Sequence, residues 1–396
     1  MEGRIHPDFW PVARALKAQL PTDGKGGAAV CVYHRGRKVI DLWGGTRDED
    51  GTPWTEDTVS LSYSTTKGVA STLLHILVDR AELDYDDPVS RYWPEFAQAG
   101  KKDLTVRQVM CHEAGLYGIR SMTDHARRMM DWEYMIDSIA AAEPRHLPGK
   151  EHGYHGLTYG YIVGEIIQRV AGVSFAEFLN TELVEPLGLD GMFVGMPEEA
   201  LGRRAKLIMA GIQAGKGNAD RFIEYLNSTN RWLRWLSIPI DLDEVVNSLL
   251  PEGMDELDWN SEEFVKSCVP SANGMFTARS LARMYAMMAA GGELDGVRII
   301  SEKTIRKARK VQNTTMDRVI PFPMHWRLGY HRVFTMGPRI PHGFGHFGFG
   351  GSGAWADPDR NLSVGLVLNS GVGTPFGDSR ILRITTAALR CADRRK

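Results

Sequence analysis

The sequence predicts an α/β (α+β) fold: an antiparallel sheet built from both chain ends, flanked by helices, with a mostly helical lobe inserted between them. Near the start, residues 28–35 and 38–44 are rich in branched and aromatic side chains, and Gly36 supplies the turn between them. Near the end, residues 353–357 and 362–369 have the same character. Because β character lies at both ends, a single sheet formed from both ends is the simplest arrangement.

Between these strands the chain is mostly helical, since its apolar residues recur at helical spacing. The predicted helices are 65–80, 105–111, 123–141, 158–171, 174–183, 220–236 and about 376–391. We therefore expect an α/β lobe with the central sheet, formed by residues 1–80 and 268–396, and a helical lobe formed by residues 81–267. Within the helical lobe, residues 200–265 are predicted to cap a pocket. That segment contains three tryptophans in a polar context, Trp232, Trp235 and Trp259.

Composition and charge argue against several functional classes. The chain of 396 residues has a net charge of −2, and its densest basic run, residues 306–310, is interpreted as the exposed face of a helix rather than a nucleic-acid site. No segment approaches the roughly 20 apolar residues that span a bilayer, and the N-terminal segment lacks a signal-peptide core. Four scattered cysteines without a C-x-x-C pair favour free thiols. We expect a cytoplasmic protein with a small-molecule substrate, and the oligomeric state stays open.

Ser64 and Lys67 have the S-x-x-K spacing, just ahead of the predicted helix 65–80. In one interpretation Ser64 is a nucleophile at a helix N-terminus, where backbone N–H groups favour developing negative charge, and Lys67 takes its proton from one turn away. In the other, Ser64 caps the helix and Lys67 extends its amine towards solvent. On these four residues alone the second interpretation is favoured.

Tyr154 is a candidate second proton carrier. It stands in a turn, residues 148–156, directly before the predicted helix 158–171. A phenol with a pKa near ~10 is a poor base, but a cationic Lys67 beside it would favour its ionisation and let it exchange protons with Ser64. The alternative is a packed aromatic side chain with no chemical role.

A glycine-rich stretch, residues 343–353, leads into the predicted strand 353–357. Glycines there allow the backbone to approach a ligand or a neighbouring strand closely. A strand N–H that points into a cleft would complete an oxyanion hole with the Ser64 N–H, whereas the alternative is a tight loop without chemistry. Residues 350–354 nearly match the G-x-S-x-G nucleophile elbow, but a strand follows instead of a helix, so Ser352 is interpreted as structural.

The pattern does not support metal or nucleotide chemistry. His342 and His346 are four residues apart but lie in a glycine-rich loop, and residues 151–155 do not form H-E-x-x-H. His112 follows a predicted helix and precedes Gly115, so it is interpreted as a loop anchor rather than a catalytic histidine. We therefore expect neither a metal nor an organic cofactor.

Taken together, these elements resemble the serine β-lactamase and penicillin-binding superfamily, most closely the class C β-lactamase-like esterases, or family VIII carboxylesterases. Three stretches carry the resemblance: Ser64-Thr65-Thr66-Lys67, Tyr154-His155-Gly156 in the place of Y-x-N, and His346-Phe347-Gly348 in the place of K-T-G. Similar stretches extend over about 28–195 and 268–370. They are Asp86–Val89, Tyr92–Phe96, Cys111–Leu116, Pro186–Leu189 and Pro270–Gly274.

The resemblance implies a β-lactamase/transpeptidase-like fold and a serine hydrolase that cleaves carboxylic esters, with short acyl chains, through an acyl-enzyme on Ser64. Lys67 and Tyr154 would then act as general base and acid. The implied oxyanion donors are the N–H groups of Ser64 and Phe349, and the implied substrate-binding residues are His346 and Gly348.

Two positions depart from the pattern of many β-lactamases, which have Asn and Lys where this chain has Gly156 and His346. Gly156 offers no amide to a substrate, and His346 need not carry a fixed positive charge. Both departures are typical of the esterase branch and disfavour efficient β-lactam hydrolysis. On the same fold, a β-lactamase, a D-amino-acid peptidase and an acyltransferase stay as alternatives. A catalytically inactive binding protein is the alternative from another class.

Overall fold

The computed structural model describes residues 1–21, 24–209, 242–320, 322–371 and 379–395. In chain order its strands are β1 (Glu2–Ile5), β2 (Gly27–His34), β3 (Arg37–Gly45), β4 (Ser60–Leu61), β5 (Met192–Phe193), β6 (Ile208–Met209), β7 (Met275–Phe276), β8 (Glu293–Leu294), β9 (Val297–Arg298), β10 (His331–Arg332), β11 (Phe344–Phe347), β12 (Gly353–Asp357), β13 (Leu362–Leu368) and β14 (Ser370–Gly371).

The α-helices of the described residues alternate with short 3₁₀ segments. They are α1 (Trp10–Lys17), α2 (Thr65–Asp79), α3 (Val106–Met110), α4 (Trp132–Ala141), α5 (Thr158–Ala171), α6 (Phe175–Leu179), α7 (Glu185–Leu187), α8 (Leu242–Leu249), α9 (Glu262–Lys266), α10 (Ala278–Ala289), α11 (Glu302–Ala308) and α12 (Ser379–Arg394).

The main sheet draws its strands from both ends of the chain, as predicted. Its seven strands are all antiparallel and follow the order β1-β3-β2-β13-β12-β11-β10. Strands β2 and β13 join the two ends, in a register that runs from Leu362 opposite His34 to Leu368 opposite Ala28. Arg35 and Gly36 connect β2 to β3 with φ angles of 54° and 72°, which is the two-residue turn that suits a twisted hairpin.

Helices cover both faces of this sheet, so β12 and β13 are buried along their whole length. On one face α10 lies so close that a side chain at Gly365 would have its Cβ 2.4 Å from the Ala278 carbonyl oxygen. On the other face α1 and α12 pack against Trp355 through Val12 and Leu389. Close helix–sheet packing of this kind explains a glycine in the middle of a strand.

Helix α2 is buried over residues 65–77, which include Lys67. It lies between the sheet and the helical part of the chain, and a helix apolar on all sides belongs in such an interior position. Its start is fixed to neighbouring segments, because Ser62 N–H donates to Gly274 O at 2.9 Å and the Ser352 hydroxyl donates to Ser62 O at 2.9 Å. Residue 64 is thus held beside the end of β11.

Some predicted helices differ from the observed ones. The predicted helix 123–141 is a 3₁₀ segment, Ala126–Met130, followed by α4, because the Asp131 side chain accepts from Tyr134 N–H at 3.1 Å and starts a new helix. The predicted helix 174–183 is α6 continued by a π-helical segment, Asn180–Val184. The predicted helix 220–236, together with Trp232 and Trp235, lies outside the described residues.

The cysteines are free thiols, as predicted, at positions 31, 111, 268 and 391. Within the described ranges, no helix has the length and apolar character needed to cross a bilayer. The division into lobes 1–80 with 268–396 and 81–267, the capping role of residues 200–265 and the cytoplasmic location stay predictions.

Candidate active site

Ser64 begins the site at the start of α2, directly after a strained residue. Tyr63 has a φ of 44°, a conformation that side chains other than glycine rarely adopt, and it is buried. The turn is held by Thr65 N–H donating to Ser62 O at 3.1 Å and Thr66 N–H donating to Tyr63 O at 3.0 Å. Strain of this kind concentrates at functional sites, where the surroundings force it.

The interpretation of Ser64 as a helix-capping serine agrees with its position in the structure but not with the contacts of its hydroxyl. Ser64 occupies the N-cap position, but its hydroxyl makes no capping hydrogen bond to the backbone, and its φ and ψ of −63° and −8° are already helical. A helical N-cap directs the side chain away from the N–H groups that a capping serine would satisfy. The Ser64 hydroxyl instead contacts Lys67 and Tyr154, so the start of α2 orients this hydroxyl towards them and gains no capping hydrogen bond from it.

Lys67 is fully buried, and its Nζ lies 3.1 Å from Ser64 Oγ. The same amine donates to two backbone carbonyl oxygens, Gly156 O at 2.7 Å and Ser271 O at 2.9 Å. Burial lowers the pKa of the Lys67 amine well below its ordinary value. Because carbonyls only accept, two amine hydrogens are fixed on them, and the remaining tetrahedral direction points at Ser64.

Tyr154 reaches Ser64 from the opposite element, with its hydroxyl 2.7 Å from Ser64 Oγ. Its ring lies 5.0 Å from the Lys67 amine. Burial raises the pKa of the Tyr154 phenol; the hydrogen bond with Ser64 opposes this shift and the charge of Asp317 adds to it. Burial therefore opposes the ionisation of Tyr154, and it also disfavours the cationic form of Lys67 that was expected to ease this ionisation.

The loop that carries Tyr154 is pinned by His112, which acts as the predicted loop anchor. His112 O accepts from Gly153 N–H at 3.0 Å, and His112 Nδ1 accepts from His155 N–H at 3.1 Å. His155 Nε2 in turn accepts from Leu116 N–H at 2.9 Å. Since both imidazoles use a bare nitrogen as acceptor, both are neutral, and burial lowers the pKa of each.

Helix α8 closes the other side of the Tyr154 loop. The Ser248 hydroxyl donates to Tyr154 O at 2.7 Å. Leu249 packs with the cluster of Tyr117, Tyr154 and Trp326. A side chain at Gly156 would place its Cβ 2.2 Å from Leu249 Cδ2, so Leu249 fills the space that a longer residue at this position would need.

The glycine-rich stretch brings β11 next to Ser64. A Cβ at Gly348 would lie 2.3 Å from Ser62 O and 2.6 Å from Ser352 Oγ, so only glycine permits this approach. The Gly348 N–H donates to Ser352 O at 2.8 Å, and its carbonyl accepts from Gly351 at 3.3 Å, so both polar groups serve the loop. The Ser352 hydroxyl donates to Ser62 O, which supports the structural role predicted for Ser352.

The oxyanion role of the Ser64 and Phe349 N–H groups stays a prediction. Among the described residues, neither the Ser64 N–H nor the Phe349 N–H donates a hydrogen bond to another residue. The rings of Tyr63 and Phe349 meet edge to face at 5.5 Å, and Tyr63 also contacts Trp259 at 5.2 Å. This aromatic group places Tyr63, the residue before Ser64, against the loop that carries the Phe349 N–H.

His346 is buried, and its Nδ1 lies 3.0 Å from Phe347 O. Because a carbonyl oxygen only accepts, Nδ1 carries the proton and Nε2 is a bare acceptor, with no hydrogen-bond partner among the described residues. Burial lowers the pKa of His346 well below its ordinary value. His346 thus supplies no positive charge, and its substrate contact and that of Gly348 stay predictions.

Several site residues carry no recognisable motif in the sequence: Ser248, Leu249, Asp317, Trp326 and His331. Trp326 stacks on the ring of Tyr154 with centroids 5.5 Å apart, and Asp317 bonds the Tyr154 N–H at 3.0 Å. His331 Nε2 accepts from Phe347 N–H at 2.9 Å and braces β11. Ser271, which accepts from Lys67, lies by contrast in a stretch that the sequence singled out, residues 270–274. Within the ranges described, no group of three or more His, Cys, Asp or Glu side chains is arranged to hold a metal ion.

Comparison with known proteins agrees with this geometry. The Beta-lactamase family model matches residues 12–389. The esterase/beta-lactamase LipL of Mycobacterium tuberculosis (strain ATCC 25618 / H37Rv) is 36% identical over 93% of this chain and 82% of its own length. The structure is also similar to two crystal structures.

One is a family VIII carboxylesterase, with a TM-score of 0.86 at 32% identity, covering 98% of this chain and 99% of the other. The second is a penicillin-binding protein homologue from Caulobacter crescentus, with a TM-score of 0.84 at 34% identity and the same coverage of both chains. These likenesses extend over the strands and helices that hold Ser64, Lys67 and Tyr154. The chain therefore belongs to the Beta-lactamase family and is a serine hydrolase.

Proposed function

We propose that this protein hydrolyses carboxylic esters through an acyl-enzyme on Ser64. The observation that supports this most directly is the convergence of the Lys67 amine and the Tyr154 hydroxyl on Ser64 Oγ, at 3.1 and 2.7 Å. A serine hydroxyl is a weak nucleophile until a neighbouring base takes its proton. Two such neighbours, one an amine and the other a phenol, give the serine both a base and an acid.

Lys67 is the proposed base in the first step. Two of its hydrogens are held by Gly156 O and Ser271 O, so a neutral amine directs its lone pair at the Ser64 hydroxyl. As Ser64 Oγ bonds to the acyl carbon, its proton passes to Lys67 Nζ. Burial favours the neutral amine that this step requires.

Tyr154 is the proposed acid for the departing alcohol. When the tetrahedral intermediate collapses, the bond between the acyl carbon and the alcohol oxygen breaks, and this oxygen takes the proton of the Tyr154 hydroxyl. Lys67 then gives the proton that it received from Ser64 to the Tyr154 phenolate. Water then attacks the acyl carbon of the acyl-enzyme and gives a proton to Lys67 and Tyr154. These two residues pass that proton to Ser64 Oγ as the bond between Oγ and the acyl carbon breaks. The N–H groups of Ser64 and Phe349 hold the oxyanion in both halves, and a single such donor is worth about 10²–10³ in rate.

Ester substrates are favoured over β-lactams by the wall beside Lys67. Gly156 has no side chain, and the apolar Leu249 covers it, so this wall offers no hydrogen-bonding side chain to an amide group of a substrate. His346 is neutral and provides no cation for a carboxylate. One relative is named an esterase and the other a carboxylesterase, in keeping with this preference.

β-Lactam hydrolysis is the second candidate function, since LipL is named both esterase and β-lactamase. A D-amino-acid peptidase and transfer of the acyl group to an alcohol in place of water use the same acyl-enzyme. Hydrolysis of a chromogenic cephalosporin, and product analysis with an added alcohol, separate these from ester hydrolysis. The outcome expected here is ester turnover that exceeds cephalosporin turnover by orders of magnitude.

The experiment that tests the proposal compares wild type with Ser64→Ala on p-nitrophenyl esters of two to eight carbons, with Ser352→Ala as the matched control. Ser352 is another serine at the site and belongs to the near G-x-S-x-G stretch. We expect Ser64→Ala to abolish turnover and labelling by a fluorophosphonate probe, and Ser352→Ala, which loses the hydrogen bond to Ser62 O, to keep the probe labelling of Ser64. The probe should label wild type once, on Ser64. Retained turnover in Ser64→Ala would refute the assignment, and absence of labelling would favour a binding protein without catalysis.

A further inference from the structure

Asp317 is a buried carboxylate that the proposed mechanism does not use. It is 5% exposed and lies in a segment 163 residues away from Tyr154 in the chain. Its Oδ1 accepts from Tyr154 N–H at 3.0 Å, from Val319 N–H at 2.8 Å and from Ile320 N–H at 2.9 Å. One carboxylate oxygen thus ties the backbone of Tyr154 to a tight turn in a distant segment.

The other oxygen of Asp317 holds Trp326. Its Oδ2 accepts from Trp326 Nε1 at 2.8 Å, and Trp326 is completely buried. The Trp326 ring lies parallel to the Tyr154 ring, with an interplanar angle of 3° and centroids 5.5 Å apart. The backbone and the ring of Tyr154 are therefore fixed by the two oxygens of one carboxylate.

A buried carboxylate is costly unless it is paired or fully hydrogen-bonded. Within the described residues Asp317 forms no ion pair with Lys or Arg, so its charge rests on four N–H donors. Burial raises the pKa of the Asp317 carboxyl, while the bonds from Ile320, Trp326 and Val319 oppose that shift. A neutral polar residue would satisfy this turn at a lower desolvation cost. The buried carboxylate therefore points to a role beyond the turn.

We propose that Asp317 is the positioning residue for Tyr154, acting through the Tyr154 peptide and through the Trp326 ring. The inference rests on the proposed function, in which Tyr154 is the acid for the leaving alcohol. Tyr154 Oη must lie within hydrogen-bond distance of both Ser64 Oγ and the alcohol oxygen. A displacement of about 1 Å at a reacting group costs on the order of 10²-fold in rate.

The alternative is a purely structural role, in which Asp317 stabilises the turn formed with Val319 and Ile320. Both roles lower the yield of folded protein when Asp317 is changed. They differ in the folded enzyme, because a positioning residue acts only through Tyr154. Its effect on kcat should therefore disappear once the Tyr154 hydroxyl is absent.

The decisive experiment is a double-mutant cycle on a short alkyl ester, with kcat divided by the concentration of fluorophosphonate-titrated sites. Its members are wild type, Asp317→Asn, Tyr154→Phe and the double variant. Asparagine keeps an oxygen that accepts from the Tyr154 N–H. Its NH₂ group would face Trp326 Nε1–H, and because both groups are donors, the hydrogen bond that holds the Trp326 ring is lost. We expect Asp317→Asn to lower kcat about 10- to 100-fold with little change in KM, and the double variant to match Tyr154→Phe.

Asp357→Asn is the matched control. Asp357 is also a buried carboxylate, 0% exposed, but it pairs with Arg360 at 2.7 Å, at the end of β12. Its loss should lower the thermal midpoint while kcat per titrated site stays at the wild-type value.

Two outcomes overturn the inference: an unchanged kcat in Asp317→Asn, or the same fold loss in the wild-type and Tyr154→Phe backgrounds. Failure of the proposed function is a different result, namely wild-type kcat in Tyr154→Phe itself. Should Asp317→Asn be insoluble, Trp326→Phe replaces it in the same cycle. In that cycle, a loss of kcat on Trp326→Phe in the wild-type background but not in the Tyr154→Phe background supports the inference. An equal loss of kcat in the two backgrounds contradicts it.

Discussion

Leu249 occupies the space into which any side chain at Gly156 would project, since a Cβ there would lie 2.2 Å from Leu249 Cδ2. The two residues come from different parts of the chain and meet beside Lys67, whose amine donates to Gly156 O. A side chain added at Gly156 would therefore force Leu249 to move, and a smaller residue at position 249 would leave room for it. This contact makes Gly156 and Leu249 a coupled pair in the wall of the site.

The first prediction concerns this pair. Gly156→Asn should lower the thermal midpoint and ester kcat/KM, because overpacking a filled site costs about 1–3 kcal/mol. Adding Leu249→Ala removes the obstructing methyl groups, so the double variant should recover stability relative to Gly156→Asn. Thermal unfolding and ester assays measure both effects. Equal stability of Gly156→Asn and wild type would show that Leu249 does not fill this space.

The second prediction concerns pH. The proposed base is the neutral Lys67 amine, and burial lowers the pKa of Lys67, so kcat/KM should rise with pH as this amine loses its proton and then reach a plateau. Below that pKa the loss should be about tenfold per pH unit, as for one essential group. Burial raises the pKa of Tyr154, so no decline from its ionisation is expected below pH ~10.

The titratable groups around Lys67 leave this profile simple. His112, His155 and His346 are buried and all have lowered pKa values, so they stay neutral over the range in which the profile is measured. Lys67→Arg is the control, because a guanidinium cannot release its proton and should be inactive at every pH. A bell-shaped profile with its alkaline limb near neutrality would contradict the assignment of a neutral Tyr154.

The third prediction concerns the leaving group. Loss of an acid in proton transfer typically costs about 10²–10⁴ in rate, so Tyr154→Phe should lower kcat by that order on alkyl esters. On p-nitrophenyl esters the loss should be smaller, since this phenol departs without first gaining a proton. Kinetics on a series of esters with one acyl group and different alcohols measure the dependence. The same fold loss on every ester would mean that Tyr154 does not protonate the alcohol.

The fourth prediction concerns the loop that carries the Phe349 N–H. Gly348→Ala places a methyl group 2.3 Å from Ser62 O, so the loop must move away from the start of α2. If this displaces an oxyanion donor, kcat should fall about 10²-fold. Gly202→Ala is the control, because nothing lies within 4 Å of its Cβ position, and it should behave as wild type. Wild-type kcat in Gly348→Ala would place the oxyanion hole elsewhere.

The sequence predicted the parts of the site that local pattern defines. Ser64 and Lys67 are one helical turn apart, so their proximity follows from the start of α2, and Tyr154 followed from its turn before α5. The hairpin of β2 and β3 followed from the alternation of residues around Gly36. Each of these depends on neighbours in the chain, which is what a sequence pattern records.

What the sequence did not predict depends on contacts between distant segments. Asp317 and Leu249 belong to no motif, and only the folded chain shows that they meet Tyr154 and Gly156. Of the two interpretations of Ser64, capping by its hydroxyl does not occur, because the backbone of Ser64 is already helical. The sequence also could not show how deeply Tyr154 is buried, and this burial raises the pKa of the phenol.

The order of strands in the main sheet has a consequence for synthesis on the ribosome. Ser64 emerges early, but the segment around it is held by Gly274 and Ser352, and β2 pairs with β13. A nascent chain that ends before residue 352 thus contains Ser64, Lys67 and Tyr154 but lacks Ser352 and the strand β13 that pairs with β2. Domains fold as units once their chain is available, so turnover should appear only near the completion of translation. Catalytic activity in a stalled-chain series would therefore report the moment at which the sheet closes.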